Sequence, residues 1–158
     1  MSIAALLQET EAFLHARIPL ARAMGVQVES YDASGLVLTA PLGPNHNHHG
    51  TAFGGSLATL ATLAGYTLLW LELDDRGSHI VIQESQIRYR LPVRGELRAV
   101  APRLGKVRLA AFRQAYQATG KARLGLPISI ASEGKVCVEF KGTFVALHPA
   151  GPVHRALV

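Results

Sequence analysis

At 158 residues the chain has the length of a single domain, and its 49% apolar content excludes disorder as its main state. One cysteine, Cys137, excludes a disulfide scaffold and a multi-cysteine metal site, and fits a reducing compartment. The excess of 16 Lys and Arg over 11 Asp and Glu suits an anionic partner or a solvated basic surface; no five like charges run together, so a nucleic-acid tail is not indicated.

Residues 2–16 place Ile3, Leu6, Leu7, Phe13 and Leu14 among polar neighbours, with Ser2 positioned to cap the start. This predicts an amphipathic helix that stops near Ile18-Pro19. The segment has no basic n-region and carries Glu9 and Glu11, so it does not read as a secretory signal; a cytoplasmic location is expected. Two short strands follow at 26–32 and 36–42, joined by Ala33-Ser34-Gly35 and stopped by Pro41 and Pro44. Residues 54–73 are apolar all round and uncharged up to Glu72. Their length matches the roughly 20 residues of a membrane span, but Gly, Thr and Ser dilute them. The surrounding strands favour a helix wrapped by its own protein, without a membrane span.

Residues 79–93 alternate Val81, Ser85, Ile87 and Tyr89 against Glu84, Gln86, Arg88 and Arg90, the period of a half-buried strand. A further strand is predicted at 95–104 and a helical insertion at 106–118. The strands at 121–132 and 135–147 meet at Glu133-Gly134, and Pro127 predicts an edge or a bulge within the first of them. In the second, Val136, Val138 and Phe140 alternate against Cys137, Glu139 and Lys141. Cys137 reads as inert packing. The domain is taken as 1–147, with 148–158 as a loosely ordered tail. Strands gathered around one apolar helix define an α+β chain with an antiparallel sheet curled about that helix.

The chemistry-bearing segment is Asn45-His46-Asn47-His48-His49-Gly50-Thr51-Ala52-Phe53-Gly54-Gly55-Ser56, which leads into the apolar helix. Free N–H groups in a helix's first turn carry partial positive charge, and aimed at a carbonyl they stabilise an oxyanion. The same glycines also serve simple capping and close helix–sheet packing. His46, His48 and His49 lack the spacing and the carboxylate or thiol partners of a metal site, so no metal is expected.

Three pieces of this sequence carry a resemblance to the hotdog-fold acyl-CoA thioesterases. They are Asn47 followed by Phe53-Gly54-Gly55-Ser56-Leu57, the strand end Gln86-Ile87-Arg88-Tyr89-Arg90-Leu91-Pro92-Val93, and the late Gly142-Thr143-Phe144-Val145-Ala146. The chain is most similar to the thioesterase family of the YiiD C-terminal domain, over about residues 15–147. The resemblance implies a hotdog fold, a curved antiparallel sheet around a long central helix. It further implies a homodimer, possibly a dimer of dimers, with acyl-CoA or acyl-carrier thioesters bound at the interface. Coenzyme A enters as part of the substrate, and no other cofactor is implied.

By the same resemblance Asn47 holds water or the carbonyl, and the amide of Gly54 or Gly55 faces the thioester oxygen. Phe53, Ser56, Thr59 and Tyr89 contact substrate, and Val81, Ile87 and Tyr89 line the acyl tunnel or its core. Thr62 occupies the position at which many hotdog thioesterases carry an acidic residue. A threonine hydroxyl orients water but is no base at neutral pH, so the base is unassigned. Glu84 is either at the site or in solvent, while Asp74 and Asp75 lie ~30 Å from the helix start at ~1.5 Å per residue. Alternatives to hydrolysis are a non-catalytic acyl-CoA or acyl-lipid binding protein, and a purely structural interaction domain.

Overall fold

The computed structural model describes residues 1–149, so most of the tail expected at 148–158 lies outside the described residues. Helix α1 (Ile3–Arg17) begins at Ser2, whose hydroxyl accepts the Ala5 amide at 3.2 Å. A second helix, α2 (Pro19–Met24), was not anticipated. Pro19 starts it and Gly25, at φ 72°, closes it, but six residues are too few to show a period.

Strands β1 (Gln27–Asp32) and β2 (Gly35–Ala40) form the expected hairpin, whose turn is held by Ser34 N donating to Asp32 Oδ1 at 2.8 Å. Helix α3 (Gly54–Glu72) is the long apolar helix. Strands β3 (His79–Tyr89) and β4 (Leu97–Pro102), helix α4 (Lys106–Thr119), and strands β5 (Lys121–Ser132) and β6 (Lys135–Leu147) complete the chain.

All six strands form one antiparallel sheet in the order β1-β2-β4-β5-β6-β3, curved around α3, which packs on β2, β3, β4, β5 and β6. This is the α+β hotdog arrangement the resemblance implied. By length and apolar composition α3 is also a candidate membrane span, but its inward residues Leu57, Leu60, Ala61, Ala64 and Leu68 form the centre of the core. Close seating requires Gly65, where a Cβ would meet the Phe144 ring and lie 3.0 Å from Ile128 Cδ1.

Two bulges change the faces expected from simple alternation. The register of β3 against β6 shifts between Ile82 and Glu84, so Gln83 is the extra residue. Ile80 and Ile82 therefore face α3 before the bulge, and Ile87 and Tyr89 after it; Val81 instead packs outward with Val145 and Leu147. In β6 the register shifts opposite Ile130 and Ala131, which turns Cys137 inward and leaves Val136 exposed. Pro127 sits where β5 has run past its pairing with β4, a local edge that matches its missing N–H.

The far end of α3 carries a buried acid. Glu72 is 1% exposed and accepts from Arg103 Nε and Tyr31 Oη, both at 2.9 Å, with Arg113 Nη2 at 3.7 Å. This joins α3, β1, the end of β4 and α4. Burial first, then the hydrogen bond to Glu72 and its charge, push the Tyr31 phenol up to about 12, against the opposing charges of Arg103 and Arg113. A phenol whose folded value is raised contributes stability that is whole below its ordinary value of 10 and is lost as pH rises through about 12. Denaturant midpoints should therefore fall over that window, and fall less in Tyr31→Phe. Equal slopes in the two proteins would exclude the linkage.

Candidate active site

The loop between β2 and α3 is built on two asparagines. Asn45 is buried, and its Nδ2 donates to Met24 O and Pro41 O, both at 2.8 Å. Its carbonyl accepts the Phe53 amide at 2.7 Å, so it fixes the point at which α3 begins. The sequence places Asn45 in the chemistry-bearing segment but not in this anchoring role, whose only signal is an amide side chain at the end of a Gly-Pro turn.

Asn47 organises the tip of the loop. Its Oδ1 accepts from His49 N at 2.8 Å and Thr51 N at 3.2 Å, and its Nδ2 donates to Thr51 Oγ1 at 2.8 Å. An amide nitrogen carries two hydrogens, so one remains for a ligand. His48 and His49 are exposed with their rings 3.9 Å apart, and among the described residues no group of His, Cys, Asp or Glu is arranged to hold a metal.

No side chain caps α3 at Phe53, and its first helical bond runs from Leu57 N to Phe53 O. The amides of Gly54, Gly55 and Ser56 thus form an open, partially positive helix start. Two exposed aromatic residues flank it: Tyr89 Oη donates to Gly54 O at 3.2 Å, and the Phe53 ring lies where a side chain at Gly55 would stand.

Along α3, Gly55, Thr59, Thr62 and Tyr66 follow one another at intervals of four, three and four residues, a single helical stripe. The last three line a cavity of about 530 Å³ together with Ile80, Ile82 and Phe144. The hydroxyls of Thr59 and Thr62 donate back to Gly55 O (2.8 Å) and Ala58 O (2.9 Å). The mostly apolar groove therefore begins about one turn beyond the helix start, on the same face of α3 as Gly55. Thr62 lies two turns in, about 10 Å from Gly55 at ~1.5 Å per residue, so the two do not share one atom within a chain.

None of the residues lining the cavity is a carboxylate. Glu84 is exposed and pairs with Thr143 on the outer side of the sheet, and Asp74 and Asp75 border a separate cavity at the far end of α3. Tyr66, Arg17 and Ile18 also line the groove, and no local pattern had marked them.

The family described as "Putative thioesterase (yiiD_Cterm)" matches residues 7–148. The chain belongs to that family. A protein of unknown function from Chlorobaculum tepidum is 32% identical, covering 93% of this chain and 97% of its own, with a TM-score of 0.86. A structure from Shewanella oneidensis, described as a "putative thioesterase", is 28% identical over 91% of this chain and 98% of its own, with a TM-score of 0.77. A "probable thioesterase" from Pseudomonas aeruginosa is 26% identical over 89% of this chain and 94% of its own, with a TM-score of 0.78. The yiiD_Cterm assignment gives the helix start and its groove a chemistry to be weighed against, that of thioester cleavage.

Proposed function

We propose that this yiiD_Cterm protein hydrolyses an acyl thioester of coenzyme A or an acyl carrier, in the cytoplasm and as a homodimer. The observation that carries the proposal is the uncapped first turn of α3, followed one turn further along the same helix face by an apolar groove. The amides of Gly54 and Gly55 receive the carbonyl oxygen and stabilise the negative charge it gains when water attacks. Asn47 offers its remaining Nδ2 hydrogen to the water or the carbonyl. The carbon–sulfur bond then breaks, and the thiolate leaves with a proton drawn from the attacking water. Phe53, Tyr89 and Ser56 hold the thioester at the helix start, and Thr59 lines the beginning of the groove.

The feature that supports the dimer is β3. It ends the sheet with 11 residues whose outer edge meets no strand among the described residues, a length natural proteins rarely leave unpaired. Pairing two copies along β3 would cover that edge and bring the second copy beside the groove, which β3 lines through Ile80 and Ile82. This gives the helix-start amides of one copy and Thr62 of the other a common substrate.

A second reading, binding without turnover, is favoured by the threonine at position 62 and by the lack of a carboxylate among the residues lining the groove. Release of free thiol from a panel of short, long and aromatic acyl-CoA substrates separates the two. Turnover is expected. Calorimetric binding with no thiol release would establish the binding protein instead.

A further inference from the structure

The groove does not end at Tyr66. A second cavity of about 300 Å³ shares Arg17, Tyr66 and Ile80 with the first and continues past Arg76, Ser78 and His79. The apolar groove thus adjoins a polar, cationic end where Arg17 and Arg76 are exposed. Among the described residues, neither Arg17 nor Arg76 has a carboxylate partner, and no acidic residue lines either cavity.

Arg76 is held in place: its guanidinium stacks over Trp70 at 4.0 Å, and its Nη1 donates to Trp70 O at 3.2 Å. This leaves most of its five N–H donors unspent. Tyr66 stands at the junction, half-buried, its phenol raised by burial and lowered in part by the charge of Arg17. Ser78 is 8% exposed, and its buried Oγ has no hydrogen-bond partner.

We propose that this end of the groove reads an anionic oxygen group on the ligand, a terminal carboxylate on the acyl chain, so that the preferred substrates are monothioesters of dicarboxylic acids. Arg17 and Arg76, exposed where the apolar groove meets the polar cavity, attract such a group, and a guanidinium pairs with a carboxylate through two parallel hydrogen bonds. A methyl-ended chain would bring hydrocarbon against Arg17 and Tyr66 and offer neither a partner. The proposal rests on the thioesterase reading for the identity of the ligand. The rival source of an anionic oxygen is a phosphate of the carrier.

The test compares S-alkyl thioethers, which cannot be hydrolysed, ending in a carboxylate or in a methyl group at equal chain length. Each is prepared on coenzyme A and on pantetheine, which lacks the phosphates. Wild type should bind the carboxylate-ended ligand at least tenfold more tightly on either carrier, and in Arg17→Gln that ratio should collapse toward one. Equal affinities in wild type overturn the proposal, as does a ratio that survives in Arg17→Gln. A loss in Arg17→Gln that is equal for both tails and confined to the coenzyme A ligands assigns Arg17 to the phosphates and also overturns it. Thiol release from the matching thioesters keeps the two readings apart. Turnover without tail preference removes only the carboxylate proposal. Absent turnover removes hydrolysis, while the thioether ratios still decide the proposal.

Discussion

In Asn47→Asp, kcat for thioester hydrolysis is expected to fall by about two to three orders of magnitude, as on removal of one oxyanion-contacting donor, with little change in thermal stability. The substitution separates two roles that alanine would remove together. The amides of His49 and Thr51 bond to Asn47 Oδ1, and a carboxylate oxygen accepts both equally well. The third contact, from Nδ2 to Thr51 Oγ1, reverses direction, because a threonine hydroxyl also donates. What the aspartate cannot supply is an N–H for the carbonyl or the water, and its charge opposes the developing oxyanion. Asn47→Ala should lose the same catalysis and also loosen the loop, raising KM. If Asn47→Asp hydrolyses acyl-CoA at the wild-type rate, Asn47 serves only to shape the loop.

How far the sequence reaches can be seen at particular residues. The long strands and α3 were legible because their periods persist over many residues, and the Glu133-Gly134 turn because its two positive φ angles, 52° and 74°, suit a tight hairpin. The faces of β3 and β6 were legible only up to their bulges. An extra residue such as Gln83 or Cys137 leaves no mark in a period of two, yet every side chain beyond it changes face. The helix start was legible from its glycines and from Asn47. The far end of the groove was not, because Arg17 and Tyr66 lie 49 residues apart and meet only when α1 closes over α3 and the β3 edge. The tie between Glu72 and Tyr31, Arg103 and Arg113 was hidden in the same way: Glu72 read as the polar end of the helix, and tertiary contacts bury it.

Gly65→Ala should destabilise the protein by about 2 kcal/mol, the mid-range cost of overpacking a filled core, and lower Tm by about 4–8 °C. Propensity alone predicts the opposite, since alanine is favoured over glycine in a helix interior by about 1 kcal/mol. Packing decides the sign. The added methyl would enter the space of the Phe144 ring and lie 3.0 Å from Ile128 Cδ1. Phe144 is 1% exposed, and its Cε2 also lies 2.9 Å from the place a Cβ at Gly142 would occupy. One ring is thus seated between two glycines, one on the helix and one on the sheet. Shortening that ring should relieve the overlap, so Gly65→Ala combined with Phe144→Leu should recover stability relative to Gly65→Ala alone, a non-additivity that a double-mutant cycle reads directly. Because Phe144 also lines the acyl groove, the rescued protein should show a changed preference for acyl chain length. A Gly65→Ala protein that melts at or above wild type would mean that α3 does not sit this deep in the sheet, and the groove beside Thr62 and Tyr66 would then have a different shape.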